Sequence, residues 1–289
     1  MLIWLFMLKS TVIQNLLPQM MTKVKKKLND ELISALSSVR ADRNIWLTKF
    51  KAKSKKRFLE AGVPLQNDED WRLSDPNVFA NPNTASIDEE EQKAASPFDK
   101  LDKIVLVFIN GVFSEKESNY TKSDGIDLVF LDELESLEGH WAGKFFGKLE
   151  EESQKVSKRP MAIFNSAFFQ SGILLHVRKD LDIPIEFKYI FNGFAPKVLV
   201  KNFLKVESGK KLTFIEHFEG SGWSNVVTEI YLHDNAVVNH FRFKGMSKKS
   251  SSNTFLIAKL MSESKFQSNS LSLGLGNSRN ECHVMLNGE

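Results

Sequence analysis

A polar turn followed at once by an extended apolar run recurs at Asp180 (RKDLDIPIEF), Gly209 (ESGKKLTFIEHF), Asn235 (HDNAVVNHFRF) and Ser264 (SESKFQSNSLSL), at intervals of 29, 26 and 29 residues. A near-constant period that holds two or three short strands is what one coil of a parallel β-helix produces, since each coil can then hydrogen-bond to the next along its length. A β-sandwich also supplies short strands, but its hairpins need no recurring unit of that size. The runs themselves have strand composition. Ile173 to Val177, Ile183 to Phe191, Val198 to Val206, Leu212 to Phe218, Asn225 to Leu232, Ala236 to Phe243, Thr254 to Met261, Phe266 to Leu275 and Cys282 to Leu286 are dominated by Val, Ile, Phe and Thr, the residues a pleated surface favours.

The first 160 residues have a different texture. Leu28, Leu32, Leu36, Val39, Trp46 and Phe50 are mostly spaced three, four or seven apart, which predicts helix between Val24 and Leu59 with a break near Asp42. Lys103 to Ile109 reads as a buried strand turning at Asn110-Gly111 into Val112-Phe113, and Asp127 to Leu131 as another. Leu134, Leu137, Trp141, Phe145 and Leu149 return to helical spacing and predict a second helix reaching about Lys158. The expected fold class is therefore an α+β N-terminal region over residues 21–160, followed by a parallel β-helix over 161–289.

The ends stand apart. Met1 to Leu8 (MLIWLFML) is wholly apolar but shorter than the roughly 20 residues a spanning helix needs, and it lacks the charge pattern and cleavage site of a secretory signal. Met20 and Met21 open a polar, basic segment like an ordinary N-terminus, so residues 1–20 are expected to be a non-native extension from an upstream start, with an amphipathic membrane anchor as the alternative and no membrane span. Charge is unevenly distributed. Residues 21–60 carry 12 Lys or Arg against 4 Asp or Glu, and residues 61–96 carry 8 acidic against 2 basic, ending in Asp88-Glu89-Glu90-Glu91. Such blocks are solvated faces and loops or a docking surface for an acidic partner. Nucleic acid is not expected, because no aromatic platform is interleaved with the lysines and the net charge is only +3.

Few residues suggest chemistry. One cysteine, Cys282, excludes a disulfide scaffold and any multi-thiolate metal site, and makes a reducing cytoplasm the expected compartment. The histidines are His140, His176, His217, His233, His240 and His283. Adjacent strand residues point to opposite faces, so Cys282 and His283, with Glu281 beside them, form no dyad or ligand pair as neighbours. Only stacking of coils brings partners together, for instance Glu216, Glu229 or His240 on adjoining turns. No phosphate-binding glycine loop, HExxH or GxSxG occurs. Acidic residues after residue 161 are sparse and scattered, which argues against a carbohydrate-active solenoid. The residues thus assign no catalytic, cofactor-binding or metal site.

Six short motifs nevertheless occur in a specific order. Gly62-Val63-Pro64 with Glu69-Asp70-Trp71-Arg72, Val107-Phe108-Ile109-Asn110-Gly111 with Phe113, Asn165-x-Ala167-Phe168 with Gly172 and Leu175, Ile183-Pro184-Ile185, Gly209 with Leu212-Thr213-x-Ile215-Glu216-His217-Phe218, and Arg279-Asn280 with Leu286-Asn287-Gly288 resemble the SufB/SufD family of iron–sulfur cluster assembly proteins. The resemblance covers about residues 30–289, and the Glu216-His217-Phe218 coil is more similar to the SufD branch. It implies a right-handed parallel β-helix and a non-enzymatic scaffold in the SUF system. Its partners would be a SufB-like paralogue, met through the β-helices, and a SufC-like ATPase, met through C-terminal helices. It further implies that the late coils, a cluster-associated histidine and those helices lie downstream of the position matching Glu289, so a truncated chain is expected. No cofactor is expected on this chain alone, with an iron–sulfur cluster implied for the full complex. The alternatives are a β-helical protein-interaction module of another pathway and, less favoured, the carbohydrate-active solenoid.

Overall fold

The computed structural model describes residues 26–27, 29–34, 44–81, 96–120, 125–131, 133–192, 197–274 and 276–288. The 1–20 segment and the Asp88 to Glu91 run lie outside them. The helical N-terminal part contains α1 (Ile45–Ala61), a 3-10 turn at Glu69–Trp71, α2 (Pro76–Ala80), a second 3-10 turn at Trp141–Lys144, α3 (Lys148–Ser153) and α4 (Pro160–Phe168). Residues 29–34 are also helical, and their Asn29 Oδ1 accepts from Val63 N–H at 2.9 Å.

The strands are β1 (Ile104–Ile109), β2 (Val112–Ser114), β3 (Ile126–Phe130), β4 (Ile173–Val177), β5 (Ile185–Phe191), β6 (Lys197–Val206), β7 (Lys211–Gly220), β8 (Trp223–Leu232), β9 (Val237–Met246), β10 (Ser251–Leu260), β11 (Lys265–Leu273) and β12 (Asn277–Leu286). They alternate between two sheets, ordered β11-β9-β7-β5-β1-β2 and β12-β10-β8-β6-β4-β3. From β4 onward each strand pairs in parallel with the strand two further along. The result is a parallel β-solenoid of about four turns, as the repeat predicts. The register reproduces the period directly: Ile185 lies opposite Phe214, Lys211 opposite Val237, and Val237 opposite Lys265. Left-handed backbone at Gly209 (φ 69°), Asn235 (φ 60°) and Glu263 (φ 57°) turns the chain at one corner of successive coils, a conformation that glycine and asparagine reach at least cost.

The N-terminal strands are built into this solenoid. β1 pairs in parallel with β5, and β3 pairs antiparallel with β4, so residues from the first 160 extend both sheets. Asn110-Gly111 makes the expected tight turn, with φ of 50° and 82°.

Two apolar cores result. One fills the solenoid between the sheets, with Phe108, Phe187, Val200, Phe214, Val226 and Leu256 among its members. The other joins the outward face of the second sheet, through Leu199, Phe203, Trp223, Val227 and Phe255, to Phe58, Trp71, Met161 and Phe164 of the helical layer. Strands of the second sheet that lie under the helical layer are therefore buried on both faces, and β8 is buried at nine of its ten positions.

Two local expectations are corrected. The single helix predicted to run from Leu134 to about Lys158 is broken into the 3-10 turn and α3. Gly139 and Gly147 take φ of 74° and 75°, outside the right-handed helical region, and a Cβ on Gly143 would lie 2.4 Å from the Leu137 carbonyl oxygen. The segment directly after residue 160 is helix α4 and not extended chain. Pro160 sits in its first turn, where its missing N–H is no loss.

Candidate functional site

The solenoid interior changes character along its axis. The inward column Phe108, Tyr189, Phe218 continues as Lys244 and Ser272, and the column Leu106, Phe187 continues as Glu216, Arg242 and Ser270. A third runs Ile185, Phe214, His240, Ser268. Aromatic stacking at the start of the solenoid (Phe108–Tyr189, centroids 5.4 Å; Tyr189–Phe218, 4.6 Å) thus gives way to a polar centre.

Glu216 is the hub of that centre. Its Oε2 accepts from Arg242 Nε at 2.9 Å and Nη2 at 2.5 Å, with His240 Nε2 at 3.1 Å, while Oε1 accepts from the Thr228 hydroxyl at 2.8 Å. Asn202 Nδ2 reaches both Thr228 Oγ1 (3.4 Å) and the Tyr189 hydroxyl (2.8 Å), and His240 Nδ1 meets Ser268 Oγ at 2.8 Å. A hydrogen-bonded spine therefore crosses several coils inside the protein. Burial acts to raise the Glu216 carboxyl, but the Arg242 guanidinium and His240 hold it well below the usual carboxylate range. Burial lowers His240 despite its bond to Glu216, and raises the Tyr189 hydroxyl well above its ordinary value, with Glu216 adding to the shift. Lys244 is fully enclosed, donates to Thr254 Oγ1 at 3.1 Å and Ser278 Oγ at 3.4 Å, and lies 5.6 Å from the Phe218 ring centroid. Burial, reinforced by Arg242, pushes its amine well below the usual lysine range.

The spine ties neighbouring coils together, with Glu216 Oε1 bound by Thr228 and Oε2 shared by Arg242 and His240. It leads to Cys282. That residue is in register with Leu256, which pairs with Thr228 and so with Asn202. It thus faces the interior on the outermost described coil, where its thiol is solvent-accessible. Surrounding protein raises the thiol, with Arg242 acting in the opposite direction. His283 projects the other way, its Nδ1 3.1 Å from Arg159 Nη2, and Glu281 pairs with Arg159 (3.5 Å) and Arg279 (2.7 Å). The strand-parity argument against a Cys282–His283 pair holds.

Of the three residues expected to meet across coils, Glu216 and His240 do, and Glu229 does not. Glu229 lies on the outward face of β8, fully buried under the helical layer. Its Oε1 is 2.6 Å from Lys201 Nζ, itself wholly buried, and its Oε2 accepts from the N–H groups of Leu149 (3.0 Å) and Glu150 (3.1 Å) in the first turn of α3. Glu150 in turn takes a bidentate contact from Arg57 of α1 at 2.9 and 3.0 Å. Burial raises the Glu229 carboxyl, with Lys201 opposing.

The other histidines are held by partners. His140 Nδ1 accepts from Ala142 N–H at 3.2 Å, and His217 Nδ1 lies 2.9 Å from Glu186, which also pairs with Lys103. At a corner of the coils, Glu207 Oε1 joins His176 Nε2 (2.6 Å) and Lys205 Nζ (2.7 Å), with His233 Nε2 3.9 Å from Oε2. Although burial acts to raise it, hydrogen bonds from Lys205 and His176 bring the Glu207 carboxyl down to about 2. A depressed carboxylate contributes stability that is present above its ordinary value of 4.5 and is lost as pH falls through about 2. Desolvation lowers His176, with Lys205 and Arg178 assisting and Glu207 opposing, so its protonation below its ordinary 6.5 is a separate acid cost. The melting-temperature advantage of wild type over Glu207→Gln should therefore shrink across the carboxylate window, and a pH-independent difference would refute the assignment. Among the described residues no group of three or more His, Cys, Asp or Glu converges as a metal site.

The basic block of the sequence is partly committed internally. Lys53 and Arg57 pair with Glu151 and Glu150, and Lys51 and Lys55 lie over the rings of Phe169 (4.4 Å) and Phe168 (5.8 Å). The spine was hidden in the sequence because its hydrogen-bonded partners lie 10 to 34 residues apart on strands that otherwise alternate normally. The signal that finds it is polar residues at inward parity, His240, Arg242 and Lys244 in one strand.

A solenoid of two parallel sheets, sealed along one face by helices, is the class of protein that this geometry defines. Residues 191–289 match the family model described as SUF system FeS cluster assembly, SufBD core domain. The match spans β6 to β12, which include most of the polar spine, and supports the SufB/SufD family and a role in SUF iron–sulfur cluster assembly. No curated protein matches the chain. No helix among the described residues is long and apolar enough to cross a membrane.

Proposed function

We propose that this chain is a SufD-like scaffold subunit of the SUF system, working in the cytoplasm without a catalytic centre of its own. The observation that carries the reading is the SufBD core match over the same coils that build the parallel solenoid. In this role the chain pairs through its β-helix with a SufB-like paralogue and joins a SufC-like ATPase in the same complex. The iron–sulfur cluster is the cargo of the assembled complex. With one cysteine in the sequence, this chain does not supply a multi-thiolate cradle, and the sulfur-accepting groups fall to the partner. The Glu216 hub fits a scaffold, since its hydrogen bonds join side chains from neighbouring coils and so stabilise coil order.

The test is co-expression of the tagged chain with SufB-like and SufC-like subunits from the same genome. A stable complex isolated at defined stoichiometry is the expected result. Recovery of the tagged chain alone, with the other two forming a complex without it, would overturn the reading.

A further inference from the structure

The helical layer contains a cleft of about 650 Å³ that the scaffold role does not use. Ala61 at the end of α1, Trp71, and Pro160 and Ile163 of α4 supply its apolar surface. Its charged lining is unbalanced. Glu60, Asp68, Glu69 and Asp70 contribute four carboxylates, against Arg57 and Lys158, and the Arg57 guanidinium is already committed to the buried Glu150 carboxylate. Asp68 and Asp70 are oriented from behind, accepting from Leu65 N–H at 2.8 Å and Ser157 Oγ at 2.6 Å. Each carboxylate retains further acceptor capacity.

Two features extend the cleft beyond an acidic patch. The Asp70–Ser157 bond holds the loops after Trp71 and after α3 together, and both carry a large apolar side chain turned to solvent: Leu73, 95% exposed, and Val156, 76% exposed. These lie within two residues of the lining residues Trp71 and Lys158. The second feature is an intramolecular precedent. The Arg279 guanidinium of β12 sits 4.0 Å over the Trp71 ring and reaches Ser74 Oγ at 3.3 Å, so this indole already receives a cation. The whole chain carries a formal charge of +3, so attraction of a cation here is local and not a property of the overall field.

We propose that this cleft docks an extended segment of a partner protein that carries arginine or lysine beside an apolar residue. The cations face Glu60 and Glu69, and the apolar side chain packs between Leu73 and Val156. A volume of this size accepts several side chains, and the exposed Leu73 and Val156 on the two loops that supply Trp71 and Lys158 favour a peptide over a free polyamine.

The experiment uses the full chain and three probes: a labelled octapeptide alternating leucine and arginine, its leucine–glutamate counterpart, and spermidine. Fluorescence anisotropy should show saturable binding of the arginine peptide, no binding of the glutamate peptide, and little competition from spermidine. Glu60→Gln with Glu69→Gln should weaken the arginine peptide about tenfold, two modest charge contacts acting together, and Leu73→Asp should weaken it independently. Both glutamates are exposed, so an unchanged thermal melt certifies that the variants are folded. Equal affinity in the charge variant, equal binding of the glutamate peptide, or full displacement by spermidine overturns the proposal.

Discussion

Replacing Glu229 by alanine lowers the free energy of unfolding by about 3–5 kcal/mol, the range for removing one partner of a buried ion pair. The deletion leaves the Lys201 ammonium enclosed with its carboxylate gone, 2.6 Å away in the native protein. It also strips the acceptor from two backbone N–H groups, Leu149 and Glu150. Those donors cannot turn to water, because Leu149 and Glu150 are themselves buried, and each orphaned group costs about 1–3 kcal/mol. Denaturant unfolding of the isolated chain measures the loss. The second partner set also makes a sharper forecast: replacing both charges by apolar residues, Lys201→Met with Glu229→Leu, does not restore stability, since the helix-terminal N–H groups stay unpaired. A loss under about 1 kcal/mol for Glu229→Ala would mean that water reaches this layer.

The second large effect lies inside the solenoid and has the opposite double-variant outcome. Glu216→Leu strands Arg242, whose Nε and Nη2 both donate to the lost carboxylate, and is expected to cost about 3–5 kcal/mol. Here the remaining partners have alternatives. Thr228 keeps its contact with Asn202, and His240 keeps Ser268. Adding Arg242→Met to Glu216→Leu should therefore recover most of the loss, because a buried pair exchanged for apolar groups of similar volume is near neutral or stabilising. The double-variant cycle reads a coupling of at least about 2 kcal/mol. Additive losses would show that the carboxylate and the guanidinium do not act as a unit.

These two clusters also mark where sequence reading reaches its limit. The repeat of polar turns at Asp180, Gly209, Asn235 and Ser264 specified the coil length, and parity specified that Cys282 and His283 point apart. Both follow from local geometry: hydrogen bonding between coils demands a constant period, and a strand alternates its faces. Helix breaks around Gly139 and Gly147 were less legible, because apolar spacing at Leu134, Leu137 and Trp141 mimics a helical face while the backbone is left-handed at those two glycines.

What the chain determined by itself is the solenoid, its period and the side on which each residue stands. Only the tertiary structure decided which of those residues meet. Glu216 and Glu229 look alike in sequence, each an acid within a strand of largely apolar residues. Inward parity joins Glu216 to Arg242 and His240 on the next coil, whereas outward parity sends Glu229 to Lys201 and the first turn of α3. The difference arises because the helical layer covers one sheet face only. Which face is covered depends on contacts between segments more than a hundred residues apart, such as Trp223 Nε1 donating to the Phe79 carbonyl, and no local pattern encodes them.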